Sequence, residues 1–311
     1  MSERPLRLGT RGSPLALWQA HDIAERLRAV IAPRIVEIVR IETHGDRIQD
    51  QPLSQMGGFG VFTRAIQQAL LDGTVDLAVH SLKDLPTIPV PGLALTATPP
   101  RGPVGDVLLS EKYERFDDLP QGAVIATSSL RRRAQILNER PDLRLIEMRG
   151  NIDTRLRKMR EQGIDGMILA EAGLIRLGLG EHIREVLPSR WMLPAVGQGA
   201  IGLECRADDA ETRHWVEAVN DPDTWARIQA ERAMLATLGG GCLVPIGVTS
   251  RIVAGTLTLR GTVLSTDGTR RLIDELSGPV EKPLNVGAEL AAQLVSAGAN
   301  SILASDAIDS R

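Results

Sequence analysis

The stretch Gly122-Ala123-Val124-Ile125-Ala126-Thr127-Ser128-Ser129-Leu130-Arg131-Arg132-Arg133-Ala134-Gln135-Ile136-Leu137 decides the fold class. Ala123 to Ala126 reads as a strand, Thr127 to Ser129 as a hydroxyl-rich turn, and a helix opens near Leu130. The same succession stands elsewhere. Leu6 to Gly12 reads as a strand and turn; Ser13 can cap and Pro14 suits a first helical position, opening a helix through about Val30. Leu143 to Met148 is a strand, and Arg149-Gly150-Asn151 leads into a helix over Ile152 to Gln162. Gly166 to Ala170 is a strand followed by a helix over Glu171 to Leu177. Repeated strand, polar turn and helix predict α/β units with parallel sheets. Ligands of such sheets bind beyond the carboxyl ends of strands, where helix N-termini point.

Around these junctions the pattern varies. Ile35 to Glu42 alternates as a strand, and Thr43 to Gly60 reads as a long glycine-rich loop. Val61 to Leu71 is an amphipathic helix and Val75 to His80 a buried-looking strand. Proline-rich sequence from Pro86 to Pro103 marks a linker or crossing. From Asp221 the character changes. One helix over Thr224 to Leu238 is stopped by Gly239-Gly240-Gly241, and three strand-like runs follow: Val244 to Ile252, Thr256 to Leu264 and Arg270 to Leu276. A last helix covers about Val286 to Ser296, so this end reads as a small α+β domain with an antiparallel sheet.

The chain has 311 residues, 43% hydrophobic and 24% charged, with a net charge of −3. That is the balance of a soluble globular protein of more than one domain and excludes a disordered tail or a collagen-like chain. No apolar run approaches the roughly 18–20 residues of a membrane span, and the first residues carry no apolar signal core. Two cysteines, Cys205 and Cys242, argue against a disulfide framework and for a cytoplasmic setting. Aromatics at 3% argue against stacking on single-stranded nucleic acid.

Charge is unevenly placed. Between Thr127 and Arg160 ten basic residues face four acidic ones, a local excess of +6 that leaves −9 for the rest. Such an excess points to an anion site. Three strand–helix junctions carry it: Thr10-Arg11-Gly12-Ser13, Thr127 to Arg132, and Arg149 to Arg155. Each offers backbone N–H groups, a helix dipole and a guanidinium able to grip a carboxylate or phosphate bidentately. Helix capping with surface arginines explains one junction easily, and all three together poorly. His80-Ser81-Leu82-Lys83-Asp84 ends an interior strand; Asp84 is either an ion-pair partner of Lys83 or a carboxylate held in a cationic cleft, able to stabilise a cation on a substrate. Cys242, after three glycines, is sterically open and suited to covalent attachment, whereas Cys205 sits in an apolar run that reads as core. No metal-ligand spacing, P-loop or G-x-S-x-G is present.

Six segments together resemble the porphobilinogen deaminase, or hydroxymethylbilane synthase, family. They are Gly9-Thr10-Arg11-Gly12-Ser13 with Leu15 to Ala20, Val79 to Pro86, Thr127 to Gln135, Arg149 to Arg155, Pro194 to Ala200, and Gly239-Gly240-Gly241-Cys242 with Pro245 and Gly247. They run in the family's order over nearly the whole chain.

The resemblance implies a cytoplasmic, monomeric transferase that condenses four porphobilinogens into linear hydroxymethylbilane, releasing ammonia each time, without nucleic-acid or membrane partners. It implies a dipyrromethane cofactor joined by a thioether to Cys242, with Asp84 as the catalytic carboxylate. Lys83, Ser129, Arg131 and Arg132 match residues that hold cofactor carboxylates; Arg11, Ser13, Arg149, Arg155 and Arg176 match residues that bind the acetate and propionate of incoming rings. The implied fold is two periplasmic-binding-protein-like α/β domains around a cleft plus a small C-terminal α+β domain. The division would be 1–99 with 194–217, then 100–193, then 218–311. Loss of ammonia would leave a cationic pyrrole for Asp84 to stabilise. One departure stands out: Gln55 and Phe59 occupy positions where the family usually has lysines, while Phe62 is retained and Arg47 or Arg64 could compensate. A non-enzymatic anion-binding protein on the same scaffold is the competing reading, and it would need neither Asp84 nor Cys242.

Overall fold

The computed structural model describes residues 4–43, 60, 63–239 and 244–309. Gln55, Phe59, Phe62, Arg47 and most of the glycine-rich loop lie outside the described residues, as does Cys242. The strands in chain order are β1 (Leu6–Thr10), β2 (Val36–Arg40), β3 (Leu77–Ser81), β4 (Leu93–Ala97), β5 (Asp106–Leu109), β6 (Val124–Ala126) and β7 (Arg144–Ile146). They continue as β8 (Gly166–Ala170), β9 (Glu185–Val186), β10 (Ile201–Arg206), β11 (Ile246–Val253), β12 (Thr256–Leu264) and β13 (Arg271–Pro279). The chain divides into two compact units, Met1–Gly102 with Gly199–Trp225, and Pro103–Gln198 with Ala226–Arg311.

The first unit holds a five-stranded sheet in the order β2-β1-β3-β10-β4. β1 is parallel to β2 and β3, whereas β10 runs antiparallel to β3 and β4. The Pro14–Ile31 helix lays Ile23 and Leu27 with Leu6, Leu8, Leu77 and Leu203 into one core. The Arg64–Leu71 helix covers a second core with Ile66, Leu70, Val75 and Leu93.

The second unit repeats this plan in the order β7-β6-β8-β5-β9. β6 is parallel to β7 and β8, and β5 is antiparallel to β8 and β9. Leu108 faces a core with Ile125, Ile136 and Ile168, while its neighbours Val107 and Leu109 face the other core with Leu156 and Met167. That alternation is the two-residue period of a strand buried on both faces. The same unit contains the antiparallel sheet β11-β12-β13, packed on the Pro222–Thr237 and Pro283–Ser296 helices through Met234, Leu259 and Leu290.

The sequence predicts parallel sheets, and both large sheets are instead mixed. An apolar run buried on two faces carries no mark of its direction. The proline-rich segment read as a linker or crossing contains β4, and the chain passes from the first unit to the second at its end, between Gly102 and Pro103. A helix over Ala299–Asp309 follows the expected last one, restarting after Gly298, whose φ of 105° breaks the chain from helical geometry. Among the described residues no helix is long and apolar enough to cross a membrane.

Candidate active site

In the first unit, β1 ends in Arg11-Gly12-Ser13, and Ser13 caps the Pro14–Ile31 helix by accepting from the Ala16 N–H at 3.4 Å. Next to it β3 ends in a single 3₁₀ turn, Leu82–Asp84. Leu82 and Leu85 are buried, and Leu82 N–H donates to the Ala200 carbonyl at 3.1 Å. These anchors leave Lys83 and Asp84 half-buried on a pocket lined also by Arg11, Ser13, Gln19 and His80. Leu82 fits because Gly202 lies behind it: a Cβ there would come within 2.6 Å of Leu82 Cδ1. Gly202→Ala should therefore push the turn and cost about 1–3 kcal/mol. A urea midpoint unchanged from wild type would refute that packing account.

Two features of this pocket rest on contacts that the local sequence does not announce. Gln19 is buried, accepts from Ser81 Oγ at 3.1 Å, and its Nε2 has no partner among the described residues. His80 Nε2 lies 2.9 Å from Glu204 Oε2, and Gln67 Nε2 donates to the same carboxylate at 3.0 and 3.2 Å. Gln67 and Glu204 are 137 residues apart in the chain, so only the folded sheet brings them together.

In the second unit, Ser129 caps the Leu130–Glu139 helix by accepting from the Arg132 N–H at 3.4 Å. A hydroxyl that accepts in a cap keeps its own proton to donate. Arg131 and Arg132 turn inward and are buried, not displayed as surface arginines. Both guanidiniums reach Asp106, at 2.6 Å from Arg131 Nη1 and 2.8 Å from Arg132 Nε. Burial alone would raise the Asp106 carboxyl, but the two guanidinium charges and hydrogen bonds from Arg131 and Gln198 outweigh it and hold it well below the usual carboxylate range.

The third junction closes in the same unit. Asn151 caps the Ile152–Glu161 helix, accepting from Thr154 N–H at 2.9 Å. Gly150 has φ +123°, and a Cβ there would lie 2.8 Å from Thr154 Cγ2, so the turn requires glycine. Arg155 Nε donates to the Gly150 carbonyl at 2.8 Å and Lys158 Nζ to the Arg149 carbonyl at 3.3 Å. Burial lowers Arg155 to about 10, with repulsion from Arg132 and Arg149 adding to it. Arg131, Arg132, Arg149 and Arg155 thus form one basic neighbourhood. Arg176 ends the short Glu171–Arg176 helix after β8.

The cationic neighbourhood fits a polycarboxylate. Arg131 Nε is a buried donor with no partner among the described residues, and Asp106 is a carboxylate shared by two buried guanidiniums. No described group of three or more His, Cys, Asp and Glu is placed to hold a metal.

Residues 6–214 match the family described as "Porphobilinogen deaminase, dipyromethane cofactor binding domain", and residues 225–296 match its C-terminal domain. The chain belongs to the porphobilinogen deaminase family. The porphobilinogen deaminase of Syntrophotalea carbinolica is 47% identical over 304 residues, covering 98% of this chain and 96% of that protein. That of Syntrophomonas wolfei is 48% identical over 300 residues, covering 96% and 98%. A periplasmic substrate-binding protein of an ABC transporter from Coxiella burnetii is similar in structure at a TM-score of 0.43, with 17% identity over 73% of this chain and 96% of that one. The chain is accordingly a hydroxymethylbilane synthase, a transferase of tetrapyrrole biosynthesis that uses a dipyrromethane cofactor and acts on porphobilinogen.

Proposed function

We propose that Asp84 is the catalytic carboxylate of this transferase and Cys242 its point of cofactor attachment. The observation that carries the proposal is the shared pocket of Asp84, Lys83, Arg11 and Ser13 in the first unit. Porphobilinogen brings an acetate and a propionate, and Arg11 and Ser13, which line the same pocket, bind such groups beside the Asp84 carboxylate in this reading. As the substrate's C–N bond breaks and ammonia leaves, Asp84 stabilises the positive charge left on the ring and accepts a hydrogen bond from its N–H. Bound dipyrromethane supplies the nucleophilic pyrrole end on which the chain grows.

Lys83, Ser129, Arg131 and Arg132 hold cofactor carboxylates, and Arg149, Arg155 and Arg176 those of incoming rings. A six-ring chain carries twelve carboxylates, which is why one enzyme needs several guanidiniums. Tethering the chain makes each new bond effectively intramolecular. We read residues 218–311 as a third domain bearing Cys242, since the β11-β12-β13 sheet and its helices share one core. A cytoplasmic setting apart from nucleic acid is supported by the net charge of −3 and by a content of only two cysteines, and a monomer by the family resemblance alone.

Arg149→Leu tests the carboxylate clamp. Removing one charge-assisted pair worth about 1.5–3 kcal/mol should slow chain growth roughly 10- to 100-fold. Intact-mass spectra of enzyme mixed with limiting porphobilinogen should then show partly elongated species accumulating. Elongation at the wild-type rate would remove Arg149 from the clamp.

A further inference from the structure

Asp106 opens β5 and has no solvent exposure. Its Oδ2 accepts from Arg131 Nη1 at 2.6 Å; its Oδ1 accepts from Arg132 Nε at 2.8 Å and Gln198 Nε2 at 3.0 Å, and Arg132 Nη2 lies in ion-pair contact with it at 2.7 Å. Each partner is held from a second side. Arg131 Nη1 also donates to the Leu193 carbonyl, Arg132 Nη1 to the Ile168 carbonyl at 3.1 Å, and Gln198 Nε2 to the Val104 carbonyl at 2.8 Å. The carboxylate therefore fixes both guanidinium planes.

Stability alone does not account for this arrangement. Buried ion pairs are weak stabilisers, and well-packed apolar residues often replace them without loss. Here one carboxylate serves two buried cations, which leaves the trio one positive charge in excess, with the buried donor Arg131 Nε making no hydrogen bond among the described residues. A packing device would balance its charges; a preorganised anion site would not.

We infer that Asp106 is a positioning residue of the anion site: it touches no reacting atom, but sets which edges of Arg131 and Arg132 remain for cofactor carboxylates. The inference rests on the reading of those two arginines as cofactor holders. Asparagine at 106 keeps the shape and one acceptor but turns an N–H donor on a guanidinium and leaves two uncompensated cations. Glutamate keeps the charge and moves it by a methylene.

The test uses wild type, Asp106→Asn and Asp106→Glu, each taken as the folded fraction by gel filtration and near-ultraviolet circular dichroism. Intact mass reports cofactor occupancy, and steady-state rates report kcat and KM. Occupancy of Asp106→Asn is expected to fall at least tenfold. Asp106→Glu should hold more cofactor than the asparagine variant yet turn over at least fivefold more slowly than wild type. Wild-type occupancy and kinetics in the asparagine variant would overturn the inference. So would full rescue by glutamate, which would reduce Asp106 to a counter-charge, or failure of both variants to fold, which would assign it to stability. A wild-type protein at its plain polypeptide mass would instead sink the underlying reading of Cys242, an outcome distinct from the variants' behaviour.

Discussion

Asp84→Asn is expected to keep the mass of the cofactor-bearing protein and to lose at least about a hundredfold in porphobilinogen turnover. Asparagine is nearly isosteric with aspartate, and the turn that presents it is held by Leu82 and Leu85, not by the carboxylate. The substitution thus removes charge while leaving shape. What is lost is the fixed anion opposite a substrate ring that becomes positive as ammonia departs. Fixed groups aimed at developing charge in a dry site are worth several kcal/mol, because they need no reorganisation when the charge appears. Lys83 and Arg11 line the same pocket and carry the wrong sign for that task. The measurement is substrate consumption by protein whose mass has been verified, so that loss of cofactor and loss of chemistry are separated. Turnover within a few fold of wild type would reject the role assigned to Asp84. So would its restoration by a neutral hydrogen-bonding residue.

The three junctions were legible because capping is local chemistry. Ser13, Ser129 and Asn151 each hydrogen-bond an N–H three residues on, and a hydroxyl or amide before a helical pattern announces this without reference to the rest of the chain. Strand direction was not legible. β5 and β10 look like any buried apolar run, and their antiparallel placement depends on strands distant in sequence. Nor do the residues by themselves reveal that the two large sheets follow one plan, which only the family resemblance implies, because the shared feature is connectivity and not residue identity.

The same division applies to the candidate site. Asp84 and the arginines stand in short motifs. Asp106, Glu204 and Gln67 do not, and Gln198, though inside the Pro194 to Ala200 segment, carries no mark there of its partner: each acts through a residue 25 or more positions away. The one trace Asp106 leaves is an isolated acid at the head of the apolar run Val107-Leu108-Leu109. A charge entering a buried strand must be paired, and the arginine-rich segment was the place to seek its partner.

Replacement of either cysteine separates the point of attachment from the core. Cys205 lies in β10 with no exposure, its Sγ 3.1 Å from Thr96 Oγ. Burial pushes its thiol up, so it is held protonated and away from any carbon electrophile. Cys242 is the other cysteine of the chain. A thioether forms when a thiolate displaces the leaving group at a pyrrole methylene carbon, and a serine hydroxyl, ionising far less readily, does not substitute for it. Wild-type protein should exceed its polypeptide mass by two porphobilinogens less two ammonias. Cys205→Ser should keep that excess. Cys242→Ser should lose it completely and fall at least about a thousandfold in turnover, since an untethered primer forfeits the effective concentration that makes each addition intramolecular. Retention of the excess in Cys242→Ser, or its disappearance in Cys205→Ser with the protein folded, would move the attachment point elsewhere. Because mass is read before any substrate is added, this result does not depend on whether Asp84 performs the chemistry. The anchor and the catalytic carboxylate can therefore fail one at a time.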